Sequence, residues 1–392
     1  MKSHLPSIWI KTIGISLLLL WAGSGQYLSA LSVQYAEGFS IEERRGYTLL
    51  HIHLPVSGRE VSSTYVVVPR DSEKSISEKQ IRETLSLDST GPKVQFIKTP
   101  VKKLIPLSTT FLPPLELLDV EHVVSGIDKL DLIYSEKLRT TVVEQNIPQV
   151  GNGPSLDVEK VVHLKPVVVM ANYTQGEWNV IPKLKKASIP VILNGDYLES
   201  DPLGRAEWIK FIGLLCGRAA EAEKQFNDIA EDYTYLKEKV ASALSRDAVP
   251  PKVVMNRPMN GRWVVPGGKG YMAQFIKDAG GEYLWAQDSH SRSLVLDVEE
   301  VFLKALRADF WLHQYGRTSL EDLAGEDQRL GKLKAFQEGN VVNNDARMNE
   351  AGSNDFYESG PYRPDVILAD LISLFHPSLL PAHSLYYYRY LQ

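Results

Sequence analysis

Aromatic rings and guanidinium groups recur in this chain just after short apolar runs. Arg262 and Trp263 stand together, followed by Gly267 and Gly268, so an indole and a charge would be offered side by side where a large group can approach. Tyr173, Tyr197, Tyr315 and Arg347 follow other runs, and Thr109 adds a hydroxyl after the run Leu104 to Leu107. Such a set can stack on a flat ring system and neutralise a carboxylate. Covalent chemistry has no comparable support. No serine lies in a G-x-S-x-G elbow, and Pro266-Gly267-Gly268-Lys269-Gly270 lacks the leading glycine and trailing hydroxyl of a phosphate loop. His51 and His53 share a strand face without a third ligand, and His290, His313, His376 and His383 are dispersed. Cys216 is the one cysteine, so an internal disulfide is excluded.

The elements that must position these residues follow from the hydrophobic pattern. Residues 35–98 alternate apolar and polar side chains, as short antiparallel strands do. From Leu104 the pattern changes to buried apolar runs separated by helical stretches, at Val123, Val167 to Met170 and Val191 to Leu193, and again at Val253 to Met255, Phe310 to Leu312 and Val341 to Val342. Buried runs between helices predict parallel sheets in two α/β lobes. Open α/β sheets bind ligands at the carboxyl ends of their strands, which is why the loops after each run supply the candidates above. From Pro202 to Ala243 apolar residues recur at alternating steps of four and three, with Asp201 placed to cap and Pro250 and Pro251 barring extension. That spacing predicts one helix of about 60 Å, a stiff connector.

Five segments result: an export signal at 1–30, a strand-rich extension at 31–103 packed on the first lobe, the first lobe at 104–201, the connecting helix at 202–245 and the second lobe at 246–392. The signal reading rests on Lys2 and Lys11, the apolar run Ile13 to Ala22 and the small residues that follow. The run is too short to span a bilayer, and no cysteine adjoins the cleavage positions after Ser24 or Ala30, so the expected product is periplasmic, cleaved and not a lipoprotein. The chain has 392 residues, 44% apolar and 23% charged, with a formal charge of −5. That composition fits a folded protein and leaves no basic footprint for nucleic acid.

Four stretches in order resemble the periplasmic substrate-binding proteins of iron-chelate and cobalamin ABC importers: Asp157-Val158-Glu159-Lys160-Val161-Val162-His163-Leu164-Lys165-Pro166 before Val167-Val168-Val169; Pro202-Leu203-Gly204-Arg205-Ala206-Glu207-Trp208-Ile209; Gly267-Gly268-Lys269-Gly270-Tyr271 through Ala279-Gly280-Gly281; and Arg363-Pro364-Asp365 with Asp370-Leu371-Ile372 and Phe375-His376-Pro377. Val167 stands where that family usually has Asp. The resemblance implies two lobes flanking a cleft, one long helix between them, and a monomer that carries a solute and catalyses nothing. It also implies no resident cofactor, and docking to an inner-membrane permease through Glu159 and Glu299. The aromatic and arginine candidates then suit a large, partly anionic metal chelate: a ferric siderophore, haem or cobalamin. A bare zinc or manganese carrier of related architecture is the alternative, with His313 the one histidine in a loop expected to face the cleft. An exported enzyme stands behind both.

Overall fold

A computed structural model describes residues 31–56, 58–70, 76–86, 94–245 and 249–392; the proposed export signal lies outside them. Strands β1 (Phe39–Arg44), β2 (Tyr47–Val56), β3 (Arg59–Pro69) and β4 (Gln95–Thr99) form one sheet in that order. The first three run antiparallel, as their alternation predicts, but β4 joins β3 in parallel. Leu50, Ile52 and Leu54 of β2 face the core. His51 and His53 point the other way, where His51 Nδ1 lies 3.0 Å from Thr64 Oγ1.

The first lobe holds β5 (Leu104–Pro106), β6 (Val168–Ala171) and β7 (Val191–Leu193), all parallel and wholly buried. Strand β7 is one edge of this sheet, and an edge exposes unpaired backbone groups. The extension covers it with side chains: Val191 N donates to Gln95 Oε1 at 3.1 Å and Leu193 N to the buried Tyr65 hydroxyl at 3.1 Å. The chain entering the extension is fastened by two buried carboxylates. Glu207 accepts from the backbone N–H groups of Gln34, Tyr35 and Ala36 and from Lys210 Nζ. Glu199 accepts from Glu37 N, Gly38 N and Trp208 Nε1.

The second lobe contains β8 (Lys252–Met255), β9 (Pro258–Met259), β10 (Arg262–Val265), β11 (Glu282–Tyr283), β12 (Leu294–Asp297), β13 (Phe310–Leu312), β14 (Val341–Asn343) and β15 (Arg389–Tyr390). Its main sheet has the order β11-β8-β13-β14-β15, parallel except for β15. Strands β12-β10-β9 make a separate antiparallel sheet.

The connector differs from the single helix expected over 202–245. It is three helices, Pro202–Ala206, Trp208–Cys216 and Ala219–Ala243. Gly217, at φ 71°, turns the chain into the left-handed region and ends the second. A Cβ there would meet Pro100 Cγ at 2.9 Å. The apolar stripe runs through the break because all three pieces bury a face in the same core, and periodicity reports the buried face rather than helix continuity. The last piece, 25 residues long, spans about 37 Å. It is tied to the second lobe by the Tyr233 hydroxyl, which donates to Asp278 Oδ2 at 2.8 Å.

Candidate functional site

A cavity of about 780 Å³ lies between the lobes. Its first-lobe wall is the helix Pro113–Leu117 and residues 134–137; its second-lobe wall runs from Arg347 to Asn349 and from Asp355 to Arg363, with Tyr386 and Tyr387. The volume is within the ~300–1,000 Å³ common for small-molecule sites.

Arg347 is the central cation of this wall. Its Nε donates to Asp355 Oδ2 at 2.6 Å, and its guanidinium carbon sits 4.2 Å from the Tyr386 ring centroid and 5.3 Å from that of Tyr134. Burial works against its charge, but Asp355 outweighs burial and raises its pKa, so the guanidinium stays protonated. Each partner is placed locally. Asp355 opens the helix Asp355–Glu358, which Asn354 caps through Phe356 N at 2.9 Å. Tyr386 is held by the buried Asp370, whose carboxylate accepts from Tyr386 N at 2.9 Å, from Tyr387 N at 2.7 Å and pairs with His383 at 2.6 Å. A ring, a fixed guanidinium and a second ring from the opposite lobe can grip a flat anionic solute from both sides.

The loops at the strand carboxyl ends carry a further signature. Asn172 Oδ1, both carboxylate oxygens of Asp196, both amide atoms of Gln314 and Asn344 Nδ2 are buried with no hydrogen-bond partner among the described residues. These four residues follow β6, β7, β13 and β14. Buried polar groups are normally paired, and those that lack protein partners mark where water or ligand atoms complete the network. Burial raises the pKa of the Asp196 carboxyl, and Arg205, 3.6 Å away, pulls the other way.

Of the residues singled out in the sequence, Arg347 lines this cavity. Thr109 begins a half-buried turn of 3-10 helix. Tyr197 and Tyr173 adjoin, the Tyr197 hydroxyl donating to the Tyr173 carbonyl at 3.0 Å. Tyr197 and Tyr315 are both exposed, at 40% and 69%. The Arg262 and Trp263 platform requires correction. Both residues lie on β10, not on a loop, and successive strand residues face opposite ways. Trp263 is fully buried against Trp311, its Nε1 donating to the Met255 carbonyl at 3.0 Å. Arg262 points outward and pairs with Asp297. His313 is also withdrawn as a cleft-facing ligand: it is buried between Phe356 and Tyr388, and desolvation lowers its pKa to about 3. Glu159 and Glu299 are exposed in the first turns of the helices Val158–Leu164 and Val298–Ala305, with Glu299 3.3 Å from Arg329 Nη1. Tyr134, Asp355 and Tyr386 escaped sequence reasoning; the run of tyrosines at 386–388 was the only visible signal.

Two α/β lobes with a cavity between them are the architecture that the comparisons with known proteins share. Residues 115–348 match the family described as periplasmic binding protein, and the chain belongs to it. Two proteins of Methanocaldococcus jannaschii, both named uncharacterized lipoproteins, are similar. One is 22% identical over 310 residues, covering 77% of this chain and 71% of its own length, and the other is 24% identical over 314 residues, covering 75% of each. Among solved structures, a possible iron-binding periplasmic solute-binding protein of Staphylococcus epidermidis shares the fold at TM-score 0.55 and 15% identity, over 71% of this chain and 100% of its own. The molybdate-bound periplasmic binding protein MolA of Haemophilus influenzae does so at TM-score 0.55 and 17% identity, over 74% and 90%. The chain is therefore a solute-binding protein of the periplasmic binding protein family. The relatives also correct the expectation of a cleaved, non-lipidated periplasmic form, since both Methanocaldococcus proteins are named lipoproteins.

Proposed function

We propose that this protein captures a metal chelate, a ferric siderophore, haem or cobalamin, between its lobes and hands it to the permease of an ABC importer. The observation that carries this reading is Arg347, fixed by Asp355 between Tyr386 and the first-lobe Tyr134 in a cavity of about 780 Å³. A macrocycle or catecholate offers rings to the tyrosines and carboxylates or net negative charge to the guanidinium. Support for a bare-cation cargo is weaker. Among the described residues no three His, Cys, Asp or Glu side chains converge as metal ligands, and a naked divalent cation needs such a set. The absorbance spectrum of protein isolated from its native host tests the reading: a charge-transfer or Soret-type band is expected, whereas a colourless protein carrying zinc or manganese by elemental analysis would defeat it.

Delivery is assigned to Glu159 and Glu299, exposed carboxylates on the two lobes that would meet basic groups of the permease. Paired charges of this kind set register and on-rate more than affinity. Replacing both with Ala should abolish uptake and leave solute binding intact, and unchanged uptake would return both residues to the role of solvated first-turn acids.

A further inference from the structure

Four hydrogen bonds tie one short stretch of the first lobe to one stretch of the second. Glu358 Oε2 accepts from Tyr134 N at 2.8 Å and its Oε1 from Ser135 N at 3.0 Å. Asn349 Nδ2 donates to the Ile133 carbonyl at 3.0 Å, and the Ser353 hydroxyl to the Asp131 carbonyl. In each case a second-lobe side chain holds first-lobe backbone. Tyr134, Ser135, Asn349 and Glu358 also line the cavity, so these bonds must break if its walls separate. The two N–H groups that Glu358 takes stand at the start of the helix Glu136–Glu144, where Ser135 is the cap and unpaired donors favour an acceptor.

We propose that Glu358 and its neighbours form a closure clasp, and that the charge on Glu358 sets how firmly the lobes hold together. Nothing in it depends on the identity of the cargo. Burial pushes the Glu358 carboxyl up to about 7, although both backbone N–H bonds act to lower it, and the carboxylates of Asp355 and Glu116 add to the rise. Glu116 faces it from the helix Pro113–Leu117, taking a hydrogen bond from the Ser135 hydroxyl at 2.7 Å. The cations of the same cavity are already engaged: Arg347 by Asp355, Arg363 by Asp365 and Lys137 by Glu121. Glu136, Tyr134, Tyr386 and Tyr387 complete the titratable lining.

The sign follows from linkage. An opened, solvated Glu358 would titrate near the ordinary 4.5, while the clasped one titrates at about 7. Closing therefore takes up a proton, and the closed form gains as pH falls from 7 toward 4.5.

Spin labels on Lys186→Cys and Gln337→Cys, exposed positions on opposite lobes, read the interlobe distance in the ligand-free chain, because the native Cys216 is buried. The wild-type distance should be shorter at about pH 5 than at about pH 8. Glu358→Gln keeps an acceptor without charge and should hold the short distance at both. Glu358→Ala takes the acceptor from two part-buried N–H groups and should give a longer distance than Gln, also independent of pH. A wild-type distance that does not change with pH, or equal distances in the Gln and Ala variants, would overturn the clasp while leaving the cargo reading untouched.

Discussion

The strand β10 and the cavity wall at Arg347 present the same chemical pair, a guanidinium and aromatic rings, by opposite routes. On β10 the two groups are neighbours in sequence, and the pleat drives them apart: Trp263 into the core beneath the sheet, Arg262 out to Asp297. At the cavity they come from distant segments, Tyr134 in the first lobe, Arg347 after β14 and Tyr386 in the C-terminal tail, and the fold brings them within 4.2 to 5.3 Å. Adjacency in sequence favours a shared site only where the local period places both side chains on one face. A binding platform in a two-lobed protein is assembled by the lobes themselves.

The largest expected effect tests the buried half of that contrast. Trp263→Ala removes a fully buried indole and its bond to Met255, and should cost about 3–5 kcal/mol of stability. Thermal unfolding would show it, and whatever fraction remains folded should bind the chelate normally. A loss of binding without a loss of stability would restore the platform on β10.

Next in size is the acid response of the same core. His313 is held neutral, with its pKa lowered from 6.5 to about 3 by burial. Its stabilisation is complete above 6.5 and is lost as pH falls toward 3, because the unfolded chain takes the proton first. The loss should reach the order of a few kcal/mol at the acid end, and denaturant titrations of His313→Asn should show a flatter pH profile.

The cavity half is tested by Arg347→Ala, which should weaken chelate binding about tenfold to a hundredfold by loss of a charge-assisted contact. Tryptophan fluorescence titration measures this, with unfolding followed in parallel to confirm an intact fold. Smallest is Arg262→Ala, an exposed ion pair expected to contribute about 0.5 kcal/mol or less and nothing to affinity. If Arg262 and Arg347 exchanged these outcomes, the site would lie on the β9-β10-β12 face and not between the lobes.

Hydrophobic period and local chemistry were legible in the chain and carried the two α/β lobes and the strand-rich extension into view. Buried runs such as Val168 to Met170 and Val253 to Met255 became the central parallel strands, since a strand covered on both faces must be apolar throughout. The place of Arg347 in the cavity wall was legible as well, because a loop after a parallel strand points toward the cleft. The break at Gly217 was not, since a helix stripe and a bent pair of helices share one buried face.

What the sequence by itself determined is therefore the class of each lobe and the buried faces of its main elements, quantities fixed by side-chain periodicity within a few residues, but not every element boundary. Only the tertiary structure decided which loops share a wall. Trp263 entered a core, His313 was sealed between rings, and Tyr134 met Arg347 and Glu358 across the cavity. The physical reason is that a strand or helix dictates its own period, whereas the grip on a solute depends on long-range packing, which is set by the sum of many weak contacts spread along the whole chain.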